Sequence, residues 1–266
     1  GGGIKAAQAR VLLTGATGGI GQAMAQALVQ GGAAVMLAGR NHATLDALAG
    51  RIEPARTRLV CHEADLTQPQ GVATLAAAAA GWGCNVVVHA AGIPAFGPLQ
   101  SIAGKDMAAV LQTNLLAPML LTQALLAHLC AQPQAQVICV GSALGRIGLP
   151  GYSVYSASKF GLRGFAEALR RELADTAVRV QYLGPRSTRT AFNSAGVNAY
   201  NQATGTAMDT PEVVATHLMA LLASGAAERF IGFPEALAVR INGAVPAWLD
   251  GSFKTHRQSL TVLPST

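Results

Sequence analysis

The sequence predicts an α/β fold, a doubly wound parallel sheet flanked by helices in a single domain, and three observations carry that prediction. Short apolar runs alternate with longer stretches whose apolar residues recur at helical spacing. The run Val86–Val88 is continuously apolar, as a strand buried on both faces of a parallel sheet is expected to be. Aromatic residues make up only 5% of the chain, whereas glycines number 30 and alanine is abundant, a composition that suits close packing of helices on a sheet better than an aromatic-rich sandwich. At 266 residues, 51% hydrophobic and 12% charged, the chain is long enough to bury a sizeable core as one domain.

Taken in order, strands are expected at Arg10–Thr14, Ala33–Ala38, Leu59–Cys61, Val86–Ala90, Gln136–Val140 and Val178–Leu183. Helices are expected at Ile20–Gln30, His42–Ile52, Gly71–Ala80, Lys105–Ala131 and Val154–Ala174. Arg186–Thr210 is rich in Gly, Ser, Thr, Asn and Ala with little periodicity, and reads as a long loop and candidate lid. The chain divides into a disordered or cloning-derived leader (1–9), a nucleotide-binding catalytic domain (10–233) and a C-terminal extension (234–266) packed on the same domain. Apolar content continues through Ala236–Ile241 and Val245–Leu249. The extension reads as a packed tail, a subunit contact, a membrane-surface segment or a cover for the substrate mouth. Pro234 and Pro246 break any long amphipathic helix there, which favours a cover over an apolar pocket among the functional readings.

Composition also excludes several classes. The net charge is +6, but the basic residues are scattered without a Lys/Arg run, which argues against nucleic acid. Cys61, Cys84, Cys130 and Cys139 form no CxxC and no HExxH is present, so neither a metal site nor a disulfide framework is expected. A reducing, cytoplasmic setting fits. No uninterrupted apolar run reaches the ~18 residues of a spanning helix, and no signal pattern opens the chain, so no integral membrane segment is expected.

In such sheets ligands lie at the carboxyl ends of the strands, so the junctions after each strand carry most information. After the first strand comes Thr14-Gly15-Ala16-Thr17-Gly18-Gly19-Ile20-Gly21, running into a helix. Glycines there let the backbone approach a pyrophosphate whose charge faces the helix N-terminus. The spacing is GxxxGxG rather than the GxGxxG fingerprint, and a plain glycine-rich turn is the alternative. At the end of the second strand, Gly39-Arg40-Asn41 offers no acid for a bare ribose 2′-hydroxyl, whereas the Arg40 fork suits a 2′-phosphate, with Asn41 beside it as a further candidate cofactor contact. The expected cofactor is therefore NADP(H), unless Arg40 is simply a solvated surface arginine. Asp65, followed by Leu66, could accept from the adenine amine or serve as a turn residue. Ala91 and Gly92 end the fourth strand with the small residues that close passage of a nucleotide requires, and His89 beside them reads as a structural histidine.

Ser142 ends the fifth strand, and thirteen residues later Tyr155 and Lys159 stand at i and i+4 of a helix, on one face. The lysine charge is expected to lower the tyrosine pKa toward the working range. A carbonyl receiving hydride develops alkoxide charge, which calls for a proton donor and a preorganised hydrogen bond. Tyr155 and Ser142 are candidates for those roles.

These features together resemble the short-chain dehydrogenase/reductase family over about Ala9–Gly232: the TGxxxGxG turn, Ala90-Ala91-Gly92, Asn114 with Pro118 after it, the set Ser142, Tyr155 and Lys159, and Pro185 with Thr190 after the sixth strand. The resemblance implies a Rossmann-type fold and a small-molecule carbonyl or alcohol substrate. It implies that Tyr155 is the acid/base, Ser142 orients substrate, Lys159 also bonds the nicotinamide ribose, and Asn114 holds a water in the proton relay. Thr188 and Thr190 are expected near the nicotinamide carboxamide. A homo-oligomer built on the two long helices is also expected. His89-Ala90 replaces the family's frequent Asn-Asn, and Arg186 replaces the glycine of its Pro-Gly turn. The rival readings are a non-catalytic dinucleotide sensor or scaffold, and epimerisation or dehydration with a recycled cofactor.

Overall fold

The computed structural model describes residues 2–142, 145, 147–186, 209–232 and 257–258. Seven parallel strands form one sheet in the order β3-β2-β1-β4-β5-β6-β7. They are β1 (Arg10–Thr14), β2 (Ala34–Gly39), β3 (Leu59–Glu63), β4 (Val86–His89), β5 (Ala135–Val140), β6 (Val178–Gly184) and β7 (Glu228–Phe230). The chain builds outward from β1 to β3, then returns to lay β4 on the other side of β1. That reversal opens a crevice at the carboxyl ends of β1 and β4.

The helices are α1 (Gly19–Gln30), α2 (His42–Ile52), α3 (Pro69–Trp82), α4 (Gly104–Leu111), α5 (Ala117–Cys130), α6 (Ser153–Glu172) and α7 (Pro211–Ser224). Their ends follow local chemistry. Asn41 accepts from the Thr44 N–H at 3.0 Å to start α2, and Thr210 accepts from the Val213 N–H at 3.3 Å to start α7. Gly83 and Gly225 stop α3 and α7 in the left-handed region, at φ 88° and 68°.

Alternate residues of the strands feed two cores. Val11 and Leu13 of β1 pack with Met24, Leu28, Leu45, Val214 and Leu218 of α1, α2 and α7. Leu12 and Val87 pack with Leu75, Leu121, Leu125 and Leu162 of α3, α5 and α6. All of these residues are almost wholly removed from water. The helical segment Gly104–Cys130 is long and apolar enough by composition to cross a membrane, but in this fold Leu121, Leu125 and Leu129 are spent on the second core.

The expected strands, and the expected helices other than Lys105–Ala131, lie within two residues of those observed. Three findings differ from the sequence reading. The helix expected at Lys105–Ala131 is interrupted by a π turn at Gln112–Leu116. Helix α7 and strand β7 were not among the expected elements. Within the stretch read as a disordered or cloning-derived leader, Ile4 is buried and its N–H donates to the Gln136 side chain at 2.6 Å. The candidate lid, apart from its ends, and the C-terminal extension, apart from Arg257 and Gln258, lie outside the described residues.

The leader is held by a closed pair of buried amides. Gln136 donates to Gln181 at 2.7 Å and to the Leu222 carbonyl at 3.1 Å, while Gln181 donates to the Leu221 and Ala226 carbonyls at 2.9 and 2.8 Å. Gln136→Leu strands the Ile4 N–H, the Leu222 carbonyl and the Gln181 amide oxygen away from water. At roughly 1–3 kcal/mol for each unsatisfied buried group, urea unfolding should show a loss of several kcal/mol, against little change for Gln70→Leu on the surface.

Candidate active site

The turn from β1 into α1 is shaped first by the protein's own contacts. Gly15 has φ +62°, and a Cβ there would stand 2.6 Å from the Ala91 Cα and N. A Cβ on Gly21 would stand 2.0 Å from the Gly15 carbonyl oxygen. These two glycines let β1, α1 and the end of β4 close on one another. Gly18 is different: its Cβ would meet nothing nearer than 3.5 Å, and it opens α1 without any side-chain cap. Gly19 and Ile20 begin the helix, and Thr17 is tied in through its carbonyl, which accepts from the Gln22 amide at 2.7 Å. The first N–H groups of α1 have no partner within the helix, and its positive dipole end faces the turn. Such an end suits an anion.

Beside the turn lies a cleft of about 340 Å³ whose lining includes Gly15, Arg40, Asp65, Leu66, Ala91 and Gly92. Six of the expected nucleotide contacts are thus brought together from four strand ends. Arg40 is exposed. Asp65 accepts from the Thr67 hydroxyl at 2.6 Å and the Thr67 N–H at 3.0 Å. Those bonds, with a smaller contribution from Arg40, hold its carboxyl below the usual range. Asn41 is placed differently: its side-chain oxygen caps α2.

Ser142, Tyr155, Lys159 and Asn114 also gather at this edge of the sheet. The Lys159 ammonium stands 5.5 Å from the centroid of the Tyr155 ring and donates to the Val140 carbonyl at 3.4 Å. Gly92 faces both remaining polar ends: a Cβ there would lie 3.4 Å from Asn114 Oδ1 and 3.6 Å from Lys159 Nζ. Asn114 is wholly buried inside the π turn. Its amide accepts from the Ile93 N–H at 2.8 Å, donates to the Ile93 carbonyl at 3.0 Å and to Ser158 Oγ at 3.3 Å. Ser158 in turn donates to the Tyr155 carbonyl at 2.7 Å. Pro118 has no N–H to offer the Asn114 carbonyl four residues back.

The electrostatics depart from expectation. Tyr155 was expected to be acidified by Lys159, but the protein around its phenol, with Tyr152 nearby, raises its pKa instead. Desolvation wins here because the ammonium lies over the ring and is itself disfavoured: burial pushes Lys159 down to about 8. Tyr155 keeps part of its surface open to solvent. Tyr152 stacks edge-on to it at 6.2 Å, with Phe96 5.0 Å further along, so an aromatic wall leads to the phenol. His89 is buried against Thr122 Oγ1 at 2.8 Å and is pushed down to about 4, a neutral structural residue as the sequence suggested.

Other residues come forward only in the fold. Thr14 Oγ1 accepts from the Ala90 and Ala91 N–H groups at 3.1 and 3.3 Å, joining β1 to the end of β4. Tyr182, from β6, closes its hydroxyl on the backbone of Ser142. Pro185 is buried after β6, and Arg186 makes a two-pronged ion pair with Asp209 at 2.8 and 3.0 Å. Thr188 and Thr190 lie outside the described residues.

Comparison with known proteins agrees with this geometry. The short chain dehydrogenase family model matches residues 9–201. A 3-oxoacyl-[acyl-carrier-protein] reductase from Bos taurus is 36% identical over 176 residues, covering 64% of this chain and 72% of that protein. Dehydrogenase/reductase SDR family member 7B from Mus musculus is 31% identical over 199 residues, covering 71% of this chain and 60% of that protein. A solved short chain dehydrogenase from Burkholderia cenocepacia in complex with NADP superposes with a TM-score of 0.77 at 26% identity, covering 86% of this chain and 98% of that one. With the glycine turn, the cleft and the Ser142, Tyr155, Lys159 and Asn114 cluster in place, the chain belongs to the short-chain dehydrogenase/reductase family of oxidoreductases.

Proposed function

We propose that this protein is an NADP(H)-dependent reductase or dehydrogenase that interconverts a carbonyl and an alcohol, with Tyr155 as its proton-transfer group. The observation that carries the reading is the convergence of Lys159 and Asn114 on Gly92, with the Tyr155 ring 5.5 Å from the Lys159 ammonium, at the edge of the cleft that also holds Gly15 and Arg40. The glycine turn fits a pyrophosphate: Gly15 and Gly21 keep it tight, and the uncapped start of α1 meets the charge. Arg40 would hold a 2′-phosphate, Asp65 and Leu66 would border the adenine, Ala91 and Gly92 the adjoining ribose, and Pro185, Thr188 and Thr190 the nicotinamide end. A bound nicotinamide supplies or accepts the hydride.

The protein's own groups handle the proton. Burial keeps Tyr155 protonated at neutral pH, so its phenol can give a proton to the substrate oxygen as the carbonyl carbon gains hydride, and regain it in the reverse direction. The Ser142 hydroxyl bonds the same oxygen and favours the developing alkoxide. Lys159 would hold the nicotinamide ribose and resupply the proton to Tyr155. The Asn114 side chain is committed to Ile93 and Ser158, so its water is held by its carbonyl, which Pro118 leaves without the usual helical donor.

The aromatic wall of Phe96 and Tyr152 favours a bulky, largely apolar substrate, and a 3-oxoacyl thioester is the first probe because the Bos taurus relative carries that name. Free, buried Cys84 and Cys139 suit a reducing, cytoplasmic setting. Exposed Leu111, Leu116 and Phe160 suit a homo-oligomer.

A screen of NADPH oxidation against ketones, aldehydes and acyl thioesters tests the reading; no turnover with any carbonyl would leave a binding protein. Three outcomes are specific. Tyr155→Phe should retain NADPH binding and lose about 10²- to 10⁴-fold in kcat, and a variant with near wild-type turnover would remove Tyr155 from its role. Arg40→Ala should reduce the preference for NADPH over NADH roughly ten- to a hundredfold in fluorescence titrations, the worth of one charge-assisted bond. The third concerns Lys159. Its folded pKa of about 8 lies below the value near 10.4 of an unfolded chain. Between those values the unfolded state binds more protons, so this group's contribution to stability rises with pH across that window and is least favourable below it. Urea unfolding without cofactor should show wild type gaining on Lys159→Met from pH 7 to pH 10, and a flat difference would contradict a charge-disfavouring site.

A further inference from the structure

We propose that Tyr182 is a positioning residue for this reaction: its phenol hydroxyl, closed on both peptide groups of Ser142, sets where the Ser142 side chain stands relative to Tyr155. The inference rests on the reading of Ser142 as the group that bonds the substrate oxygen.

Tyr182 lies within β6, beside Cys139 of β5, and is 1% exposed. Its ring is held against Phe230 at a centroid distance of 5.8 Å. The hydroxyl accepts from the Ser142 N–H at 2.9 Å and donates to the Ser142 carbonyl at 2.9 Å. One hydroxyl thus uses its donor and an acceptor site on the two backbone groups that flank a single Cα. The last ladder contact of this stretch is the Gly141 N–H to the Leu183 carbonyl, at 2.8 Å. Beyond it the chain leaves the sheet, and the phenol takes over at Ser142 the role that a neighbouring strand plays elsewhere.

The surrounding sequence is fitted to that hydroxyl. A Cβ on Gly141 would stand 1.9 Å from Tyr182 Oη, and a Cβ on Gly145 would stand 2.1 Å from it. The Gly145 N–H also donates to the Ser142 carbonyl at 2.9 Å. Gly141 and Gly145 therefore flank Ser142 in the chain and enclose the Tyr182 hydroxyl in space. Burial raises the Tyr182 pKa, so the hydroxyl keeps the proton it donates. A serine that must bond a developing oxyanion needs its backbone fixed before the substrate arrives, because misplacement by about 1 Å can cost on the order of 10²-fold in rate.

Tyr182→Phe keeps the ring and deletes the hydroxyl. Crystal structures of wild type and variant should show Ser142 displaced in the variant. With NADPH and an acetoacetyl thioester, kcat should fall about 10- to 100-fold, while the KM for NADPH stays within about twofold of wild type. In a Ser142→Ala background the same change should cost less than about twofold, since no hydroxyl remains to be placed. Gly145→Ala, which crowds the hydroxyl without removing it, should reproduce the loss in kcat and provides the second route if Tyr182→Phe folds poorly. An equal fall in kcat with and without the Ser142 hydroxyl, or wild-type turnover in Gly145→Ala, would overturn the proposal. Should wild type reduce no carbonyl at all, the proposed function falls and the crystallographic comparison still decides this point: a displaced Ser142 supports it and an unmoved Ser142 refutes it.

Discussion

In the parallel register of the sheet, Thr14, His89, Cys139 and Tyr182 stand side by side on four neighbouring strands. One residue position marks where the second core stops being apolar and the site begins. Below this row the strands present Leu12, Val87, Val137 and Val180. At the row three side chains turn to hydrogen bonding: Thr14 to the N–H groups of Ala90 and Ala91, His89 to α5 through Thr122, and Tyr182 to Ser142. A parallel sheet puts all strand ends on one edge, so a single register fixes all these bonds together. A slip by one residue in any strand would turn its polar member toward the opposite core.

The groups at and above the row are held where water would not choose to leave them. Lys159 is buried and has lost part of its basicity, while Cys139, close enough to feel its charge, is pushed up to about 12. Tyr155 is raised rather than lowered. These shifts share one cause, the low polarity of a tightly filled interior, and they favour neutral forms. Among the described residues, this poorly solvated cation is met by the Val140 carbonyl as hydrogen-bond acceptor rather than by a carboxylate. Perturbed groups of this kind cluster where charge must appear and vanish during a reaction.

Much of this was legible in the sequence. The glycines after β1, the Tyr155 and Lys159 spacing and the small residues after β4 are local patterns, and each has a local physical reason. The place of Arg40 beside the cleft follows from its position at the end of β2. What stayed hidden depends on register or burial. Tyr182 reads as one more residue of an apolar strand, and its target lies 40 residues earlier. Ser158 sits inside the recognised helix, yet its link to Asn114 spans 44 residues. The direction of the Tyr155 shift follows from packing that spacing does not encode. Asn41 and α7 are cases of another kind, since the signals were present: an Asn before a helical run, and a Thr210-Pro211 start with a Gly225 stop.

The π turn at Gln112–Leu116 has a consequence for helical phase. An α-helix turns by about 100° per residue, so a turn holding one residue more than its neighbours rotates everything after it by that amount. Helix α4 lies against α6, whereas α5 lies against α3 and the sheet, and one straight helix would present a single stripe to both. The wide turn lets the same rod address two partners, with Asn114 at the change of phase and its amide aimed at Ile93. Removing one residue between Gln112 and Leu116 would straighten the helix and leave the sequence of both halves untouched, yet would swing α4 away from α6 and take Asn114 off the loop that follows β4. The site therefore depends on a count of residues as well as on their identity.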